Sequence, residues 1–351
     1  MLNLKMMGYR RLGKLVLLTI LLSMLVACSS ELPHNERRLG GETMGTSWSI
    51  KLYSPISDEQ FNLISAESID MIADLDQKLS TYKQDSEITR FNSSSELGWQ
   101  SVSNEFATLV EQALRISELS QGAFDITVSP LVDLWGFSQD KKETMTFPDA
   151  SEIERVKAIT GHRYLQARTQ PPALKKDLPE LHIDLSAIAK GYAADRLSTL
   201  LEAHGVVNYL AEVGGELKAS GISKALRPWL VGVEKPVPGW REIMRAVEVR
   251  GNGVATSGDY RNFIEIDGTR YSHTIDPRSG MPTVYKGASV TVIAENSLVA
   301  DAWATAFFIL PKDEALQLSE QHQLGIYYVE QSEDGFVQTM NSRFADYLVN
   351  E

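Results

Sequence analysis

The sequence predicts an α+β fold with mixed α/β organisation, on three observations. Short runs such as Trp48 to Leu52 and Ile264 to Tyr271 alternate apolar and polar residues, the period of half-buried strands. Longer segments, residues 57–82 foremost, repeat their apolar residues at helical spacing. The two kinds of segment are interspersed without strict βα alternation, and the chain has neither a P-loop nor a G-x-G-x-x-G turn. A doubly wound nucleotide fold is therefore not expected.

With 351 residues and 43% hydrophobic content the chain can bury a substantial core in one large or two modest domains. The first segment stands apart from it. Lys5, Arg10, Arg11 and Lys14 precede an apolar run, Leu15 to Val26, too short to span a membrane comfortably but suited to the h-region of a signal peptide. The run ends Leu25-Val26-Ala27-Cys28, similar to a bacterial lipobox, and Cys28 is the only cysteine. The expected organisation is a lipoprotein signal peptide over 1–27, a lipidated tether over 28–39 beginning at Cys28, and a single globular domain over 40–351. The competing reading is a free or buried thiol behind an uncleaved anchor. No internal disulfide is possible with one cysteine, so the fold depends on its core. Removing 1–27, with four basic and no acidic residues, takes the net charge from −12 to −16. So acidic a chain is unsuited to nucleic acid, whose binding relies on Lys and Arg, and suits bound cations.

Taken in order, Gly40 to Leu52 opens the domain with a strand carrying Trp48, Ile50 and Leu52 on one face; Met44, between glycines, reads first as core. Ser57 and Gln60 form a capping-box pair at the start of a helix with Phe61, Ile64, Ile72, Leu75 and Leu79 on its face. A second helix spans about 104–120, with Gly122 as its stop. Residues 122–137 read either as a helix end with a hydrophobic patch or as a wall for a flat aromatic ligand with Asp125 as polar contact. A helix capped by Ser151 and Glu154 runs to Gly161, and residues 170–179 form a connector. Leu181 to Leu185 alternates as a strand and leads through Ser186-Ala187-Ile188 into a helix; such a helix start offers free amides to phosphate. Here Lys190 reads either as a phosphate contact or as solvated, and Asp184 either as cap or as ligand contact. Val206 to Val213 is a buried strand delivering Gly214-Gly215-Glu216 in a turn. Strands follow at 230–234 and 246–249, then a Thr256-Ser257-Gly258 turn before Tyr260 and Arg261. An Asp267-Gly268 hairpin, a strand over 288–294, helices to either side of Pro311 and a final hairpin at Asp334-Gly335 complete the chain.

The densest chemistry lies in 253–305. Asp301 and Thr305 are four residues apart on a helix and share a face, and a carboxylate with a hydroxyl makes a hard oxygen pair suited to Mg²⁺. An acid among Ala, Trp and Phe is costly unless paired or metal-bound. His273 reads as a satisfied loop histidine or as a general base near a metal, and Arg261 as a phosphate clamp. Together they suggest a metal-assisted site for a phosphorylated ligand.

Seven motifs, in order, resemble the ApbE family of FAD:protein FMN transferases: Glu42-Thr43-Met44-Gly45-Thr46, Ser80-Thr81-Tyr82, Ala123-Phe124-Asp125, Asp184 to Ala193, Val213 to Glu216, Ser272 to Pro277 with Gly280, and Ala300 to Thr305. The resemblance implies a two-lobed fold with mixed sheets and a flavin cleft between lobes. It implies Mg²⁺-dependent splitting of FAD, release of AMP and attachment of FMN to a threonine or serine hydroxyl of a target protein. It places FAD contacts at Met44, Tyr82, Ala123, Phe124, Asp125, Asp184, Lys190 and Ile275. It places the metal at Asp301, Thr305 and the backbone of Ala187, and a catalytic role at His273 and Asp301. Some relatives carry an oxygen-bearing side chain at 187 or an Asp at 304; here both are Ala. Expected partners are FAD and periplasm-facing flavin-acceptor subunits of sodium-pumping NADH:quinone oxidoreductase or Rnf-type complexes. The expected location is the periplasmic side of the inner membrane, with the outer membrane as the other possibility. The alternatives are an Mg²⁺-dependent FAD pyrophosphatase and a non-catalytic FAD-binding lipoprotein.

Overall fold

The large sheet explains why some apolar runs alternate and others do not. A computed structural model describes residues 36–137, 147–237, 239, 242–259, 263–266, 269–284 and 288–349. Cys28, the expected signal peptide, most of the tether, Tyr260, Arg261 and the Asp267-Gly268 turn lie outside them. The strands are β1 (Arg37–Thr43), β2 (Thr46–Leu52), β3 (Gln100–Ser101), β4 (Leu165–Thr169), β5 (Pro172–Lys176), β6 (Tyr209–Val213), β7 (Glu216–Ser220), β8 (Trp229–Glu234), β9 (Ile243–Val249), β10 (Gly253–Gly258), β11 (Phe263–Ile266), β12 (Thr269–Asp276), β13 (Met281–Val284), β14 (Ser289–Ala294), β15 (Gly325–Ser332) and β16 (Gly335–Met340). The helices are α1 (Asp58–Leu79), α2 (Glu87–Ser93), α3 (Asn104–Leu119), α4 (Ser129–Leu134), α5 (Ala150–Ala158), α6 (Ala189–Ala203), α7 (Ser297–Ile309), α8 (Lys312–Gln321) and α9 (Ser342–Ala345).

Eight strands form one sheet in the order β1-β2-β6-β7-β10-β14-β15-β16. One face carries Trp48, Ile50, Leu52, Ala211, Val213, Val290, Val292 and Ile326 into the main core beneath α1, α3, α6 and α7. The other carries Leu210, Leu217, Val254, Ile293, Tyr327 and Val329 against the β8–β9 ribbon. β14 is buried on both faces: Val290 and Val292 enter the main core, Ile293 the other, and the polar Ser289 and Thr291 are buried with them. The expected mixed sheets are refined: every pairing among the described strands is antiparallel. Hairpins join most neighbours, and a tight hairpin can only pair strands antiparallel. A smaller core of Leu131, Trp135, Ile153, Val156 and Ile275 joins α4 and α5 to the β11-β12-β13 sheet.

Several local expectations need correction. The globular chain starts earlier than residue 40, because Arg37 to Leu39 pair with Ile50 to Leu52 as part of β1. Ser57 caps α1 by accepting from the Gln60 amide at 3.1 Å, but the Gln60 side chain turns to the His204 carbonyl, so only half the capping box forms. The cap of α5 is Asp149, which accepts from the Ser151 amide at 2.8 Å; Glu154 pairs with Lys157 instead. The 170–179 connector contains β5, paired with β4. Leu181 to Leu185 is extended without being a strand. Its alternation is real, with Leu181, Ile183 and Leu185 buried, but its partners are the Asn92 side chain, which both donates to and accepts from the Ile183 backbone, and the Ile126 carbonyl. Thr256-Ser257-Gly258 is the end of β10, not a turn.

Candidate functional site

The site is built around α7, a helix buried on nearly every side. Its first turn is fixed twice: Asn296 accepts from the Val299 amide, and the Asp195 carboxylate accepts from the amides of Ser297 and Leu298, all at 2.8 Å. Burial pushes the Asp195 carboxyl up to about 6 although those amides oppose it. One turn further on, Asp301 is 3% exposed and accepts from the Gly191 amide through Oδ2 at 2.9 Å. This bond needs α6 and α7 almost in backbone contact. A Cβ on Gly191 would stand 2.3 Å from the Ser297 carbonyl oxygen, so only glycine allows the approach.

Beside Asp301 lies the only side chain of α6 that enters the site as a cation. The Lys190 ammonium is 2.8 Å from Glu216 Oε1 and 3.7 Å from Asp301 Oδ1. Glu216 begins β7, directly after the Gly214-Gly215 turn; a Cβ on Gly214, which has φ +62°, would stand 2.9 Å from Lys190 Cδ. The glycine turn therefore does more than reverse the chain, because it clears the lysine's path. Burial pushes both carboxyls up, Glu216 to about 7, with Lys190 pulling the other way. For Lys190, burial alone would lower the ammonium, but Asp301 and Glu216 together hold it above the usual lysine range.

These groups form the polar end of a cavity of about 750 Å³. Ser257 and Thr305 line the same end, their hydroxyl oxygens 3.1 Å apart. The opposite wall is apolar and aromatic, with Phe124, Ile126, Val128, Val132, Phe137 and Ile275, and Tyr82, 61% exposed, also lines the space. The cavity thus runs between the main core and the smaller core around Ile275. Of the residues expected at the site, Tyr82, Ala123, Phe124, Asp125, Asp184, Ala187, Lys190, His273, Ile275, Asp301 and Thr305 all line it. Met44 sits instead at the β1–β2 turn with φ +47°, half-buried on the main core. Trp135 is not among the residues that line the cavity; it is buried and donates to the Gly280 carbonyl at 2.8 Å. Asp184 resolves to neither of its two readings in full: it lines the cavity, and it closes a local turn by accepting from the Ser186 amide at 2.7 Å and from the Ser186 hydroxyl. α6 itself has no side-chain cap.

Sequence reasoning missed Glu216, Ser257 and His162 as functional neighbours. Glu216 ends the Val213 to Glu216 motif and follows paired glycines, two usable signals, but was given no role of its own. His162 anchors Asp125 from outside the expected motifs. Its amide donates to Asp125 Oδ2 at 2.7 Å and its ring Nδ1 lies 3.1 Å from the same oxygen, while Oδ1 accepts from Thr127. The hydrogen bond to Asp125 raises the His162 imidazole above its ordinary range.

The donor set fits Mg²⁺. The side-chain donors lining this end are all oxygen: the Asp301 carboxylate, the Ser257 and Thr305 hydroxyls, and Glu216, whose buried Oε2 has no hydrogen-bond partner among the described residues; Ala187, expected to offer its backbone, lines the same cavity. Two carboxylates face one lysine, so the cluster carries surplus negative charge that a cation would offset. Among the described residues no three His, Cys, Asp or Glu side chains converge as a metal set.

The same architecture occurs in solved structures. A flavin transferase ApbE from Vibrio cholerae superposes with a TM-score of 0.80 at 35% identity, over 90% of this chain and 99% of that one. The apo flavinyl transferase ApbE of Pseudomonas stutzeri gives 0.79, also at 35% identity, over 90% and 97%. In sequence, the FAD:protein FMN transferases of Klebsiella pneumoniae and Escherichia coli K12 are each 40% identical, across 89% of both chains. The model of the ApbE family matches residues 44–329, a span that begins at the β1–β2 turn and contains every side chain of the cavity. By fold, sequence and the placing of its site, the chain belongs to the ApbE family.

Proposed function

We propose that this protein transfers the FMN part of FAD to a threonine or serine hydroxyl of a target protein, forming a phosphoester and releasing AMP. The observation that carries this reading is the division of one cavity into an apolar, aromatic side and an oxygen-rich end holding a lysine. FAD has the same division, a flat flavin ring and an anionic pyrophosphate. Phe124, Phe137 and Ile275 offer the ring an apolar wall, and exposed Tyr82 offers a face to stack on. Lys190 meets the pyrophosphate, and Asp125, fixed on both oxygens by Thr127 and His162, presents a rigid acceptor toward the ligand. Asp301, Thr305 and the Ala187 backbone would hold Mg²⁺, which when bound supplies charge neutralisation on the pyrophosphate.

In the reaction the acceptor hydroxyl oxygen bonds to the FMN phosphorus as the bond from that phosphorus to the AMP oxygen breaks. His273, on β12 in the cavity wall, takes the hydroxyl proton on an imidazole nitrogen. Lipidation at Cys28 would tether the enzyme at the periplasmic face of the inner membrane. That is where flavin-acceptor subunits of sodium-pumping NADH:quinone oxidoreductase or Rnf-type complexes would be met. The test is to incubate the protein with FAD, Mg²⁺ and such an acceptor domain, and to read acceptor mass beside AMP. One FMN added to one hydroxyl residue, lost with EDTA, is the expected result. AMP and free FMN with an unmodified acceptor would replace the reading with a pyrophosphatase, and bound FAD with neither product would replace it with a flavin-binding protein.

A further inference from the structure

We propose that Lys190 is the resident counter-ion of the polar end, holding the charge position of the divalent cation until a nucleotide pyrophosphate draws it away, so that cation binding is suppressed until the nucleotide is present. The inference rests on the transferase reading for the identity of the nucleotide.

Three features carry it. Asp301 has one oxygen committed: Oδ2 accepts from the Gly191 amide at 2.9 Å. The oxygen left for a cation is Oδ1, and this is the atom that faces the Lys190 ammonium at 3.7 Å. Next, the lysine is held there and not merely near by. Its ammonium bonds Glu216 Oε1 at 2.8 Å, and its stem passes Gly214 where a Cβ would stand 2.9 Å from Cδ. Finally, the lysine is the exchangeable member of the group. Its side chain is 28% exposed, against 7% for Glu216 and 5% for Asp301.

Placing a divalent cation on Asp301 without moving Lys190 would set three positive charges beside two buried carboxylates. Repulsion there is little screened by solvent. A pyrophosphate arriving in the same end offers the flexible ammonium a new anionic partner and opens Asp301 Oδ1. Coupling of this kind is reciprocal: whatever factor the nucleotide adds to cation affinity, the cation adds to nucleotide affinity.

The test uses the folded protein with Mn²⁺ as the probe, free Mn²⁺ being counted by its electron paramagnetic resonance signal. Four samples are compared: wild type and Lys190→Met, each with and without FAD, with FAD's own Mn²⁺ binding measured in a protein-free titration. In the absence of FAD, Lys190→Met should bind Mn²⁺ about tenfold or more tighter than wild type, within the usual range of coupling between sites. In wild type FAD should restore the affinity, and in the variant its effect should shrink. Equal or weaker Mn²⁺ binding by FAD-free Lys190→Met would overturn the proposal. The wild type decides without any variant as well, since Mn²⁺ binding as tight without FAD as with it would also overturn it. Acceptor mass measured on the same wild-type preparation separates the two readings. An unmodified acceptor beside the expected Mn²⁺ pattern removes the transferase and keeps the charge exchange. A modified acceptor beside equal Mn²⁺ binding does the reverse.

Discussion

Replacing Gly191 by alanine would separate intrinsic helix preference from the demands of the α6–α7 contact. In an isolated helix alanine is favoured over glycine by about 1 kcal/mol. Here the added methyl would lie 2.3 Å from the Ser297 carbonyl oxygen, 2.7 Å from its carbon and 2.8 Å from Asp301 Cβ. Two of these atoms are backbone, so no side-chain rotation relieves the overlap. Overpacking of this kind costs about 1–3 kcal/mol, and parting the helices also stretches the Gly191–Asp301 bond, worth about 1.5–3 kcal/mol for a charged acceptor. After the helix gain is subtracted, a loss of about 1.5–5 kcal/mol is expected. Urea denaturation of the full chain would measure it, with Gly98→Ala as control because no described residue lies within 4 Å of a Cβ there. Cation binding should weaken together with stability, because Asp301 loses its anchor. A Gly191→Ala protein as stable as wild type, or more stable, would refute the close-approach argument.

Three further expectations concern the groups that hold the site. Asp195 has its carboxyl raised from 3.8 to about 6, so its protonated form favours the fold below 3.8 and that contribution is lost as pH rises through 6. Asp195→Asn should flatten that part of the stability–pH curve, by about 1–3 kcal/mol between pH 4 and 6 in chemical denaturation. His162 is raised above 6.5 by its bond to Asp125, so the stability it adds is complete below 6.5 and disappears as pH rises through the higher folded value. The melting temperature should fall across that window in wild type and not in His162→Gln, whose flavin affinity should also drop as Asp125 loses a partner. Lys176 is fully buried and donates to the carbonyls of Asn92, Pro179 and Leu181. Lys176→Met strands all three acceptors, with an expected cost of about 2–4 kcal/mol and weaker FAD binding, because the segment it fixes leads to Asp184.

Much of the architecture was legible because burial writes itself into residue spacing. The face of α1, the stop of α3 at Gly122 and the strand of Trp48, Ile50 and Leu52 all follow from period and punctuation alone. The Asp301–Thr305 pair was legible for the same reason, an acid being out of place on so apolar a helix. Where the reading failed, side chains had replaced backbone partners. Asn92 supplies the ladder that Leu181 to Leu185 lacks. A lysine at the end of β5 looks like surface and is buried, because three carbonyls receive it. Glu216 and His162 could not be assigned from their own neighbourhoods, since their partners Lys190 and Asp125 come from distant parts of the chain.

The strand order of the large sheet also dictates a timetable. β2 finds its second neighbour only in β6, and the Ser49–Glu212 hydrogen bond between them spans 163 residues. As the chain is made, the β2 edge of the first hairpin must wait unpaired until more than half of the sequence has appeared. Loop closure over such lengths precedes any reward from pairing, so slow folding is expected. The delay is also an exposure, because an unpaired strand with an apolar face is a template for other chains. A helper that shields residues 46–52 should therefore raise the yield of this protein more than one that acts on its C-terminal hairpin, where β15 and β16 are joined by a short turn and pair as soon as they appear.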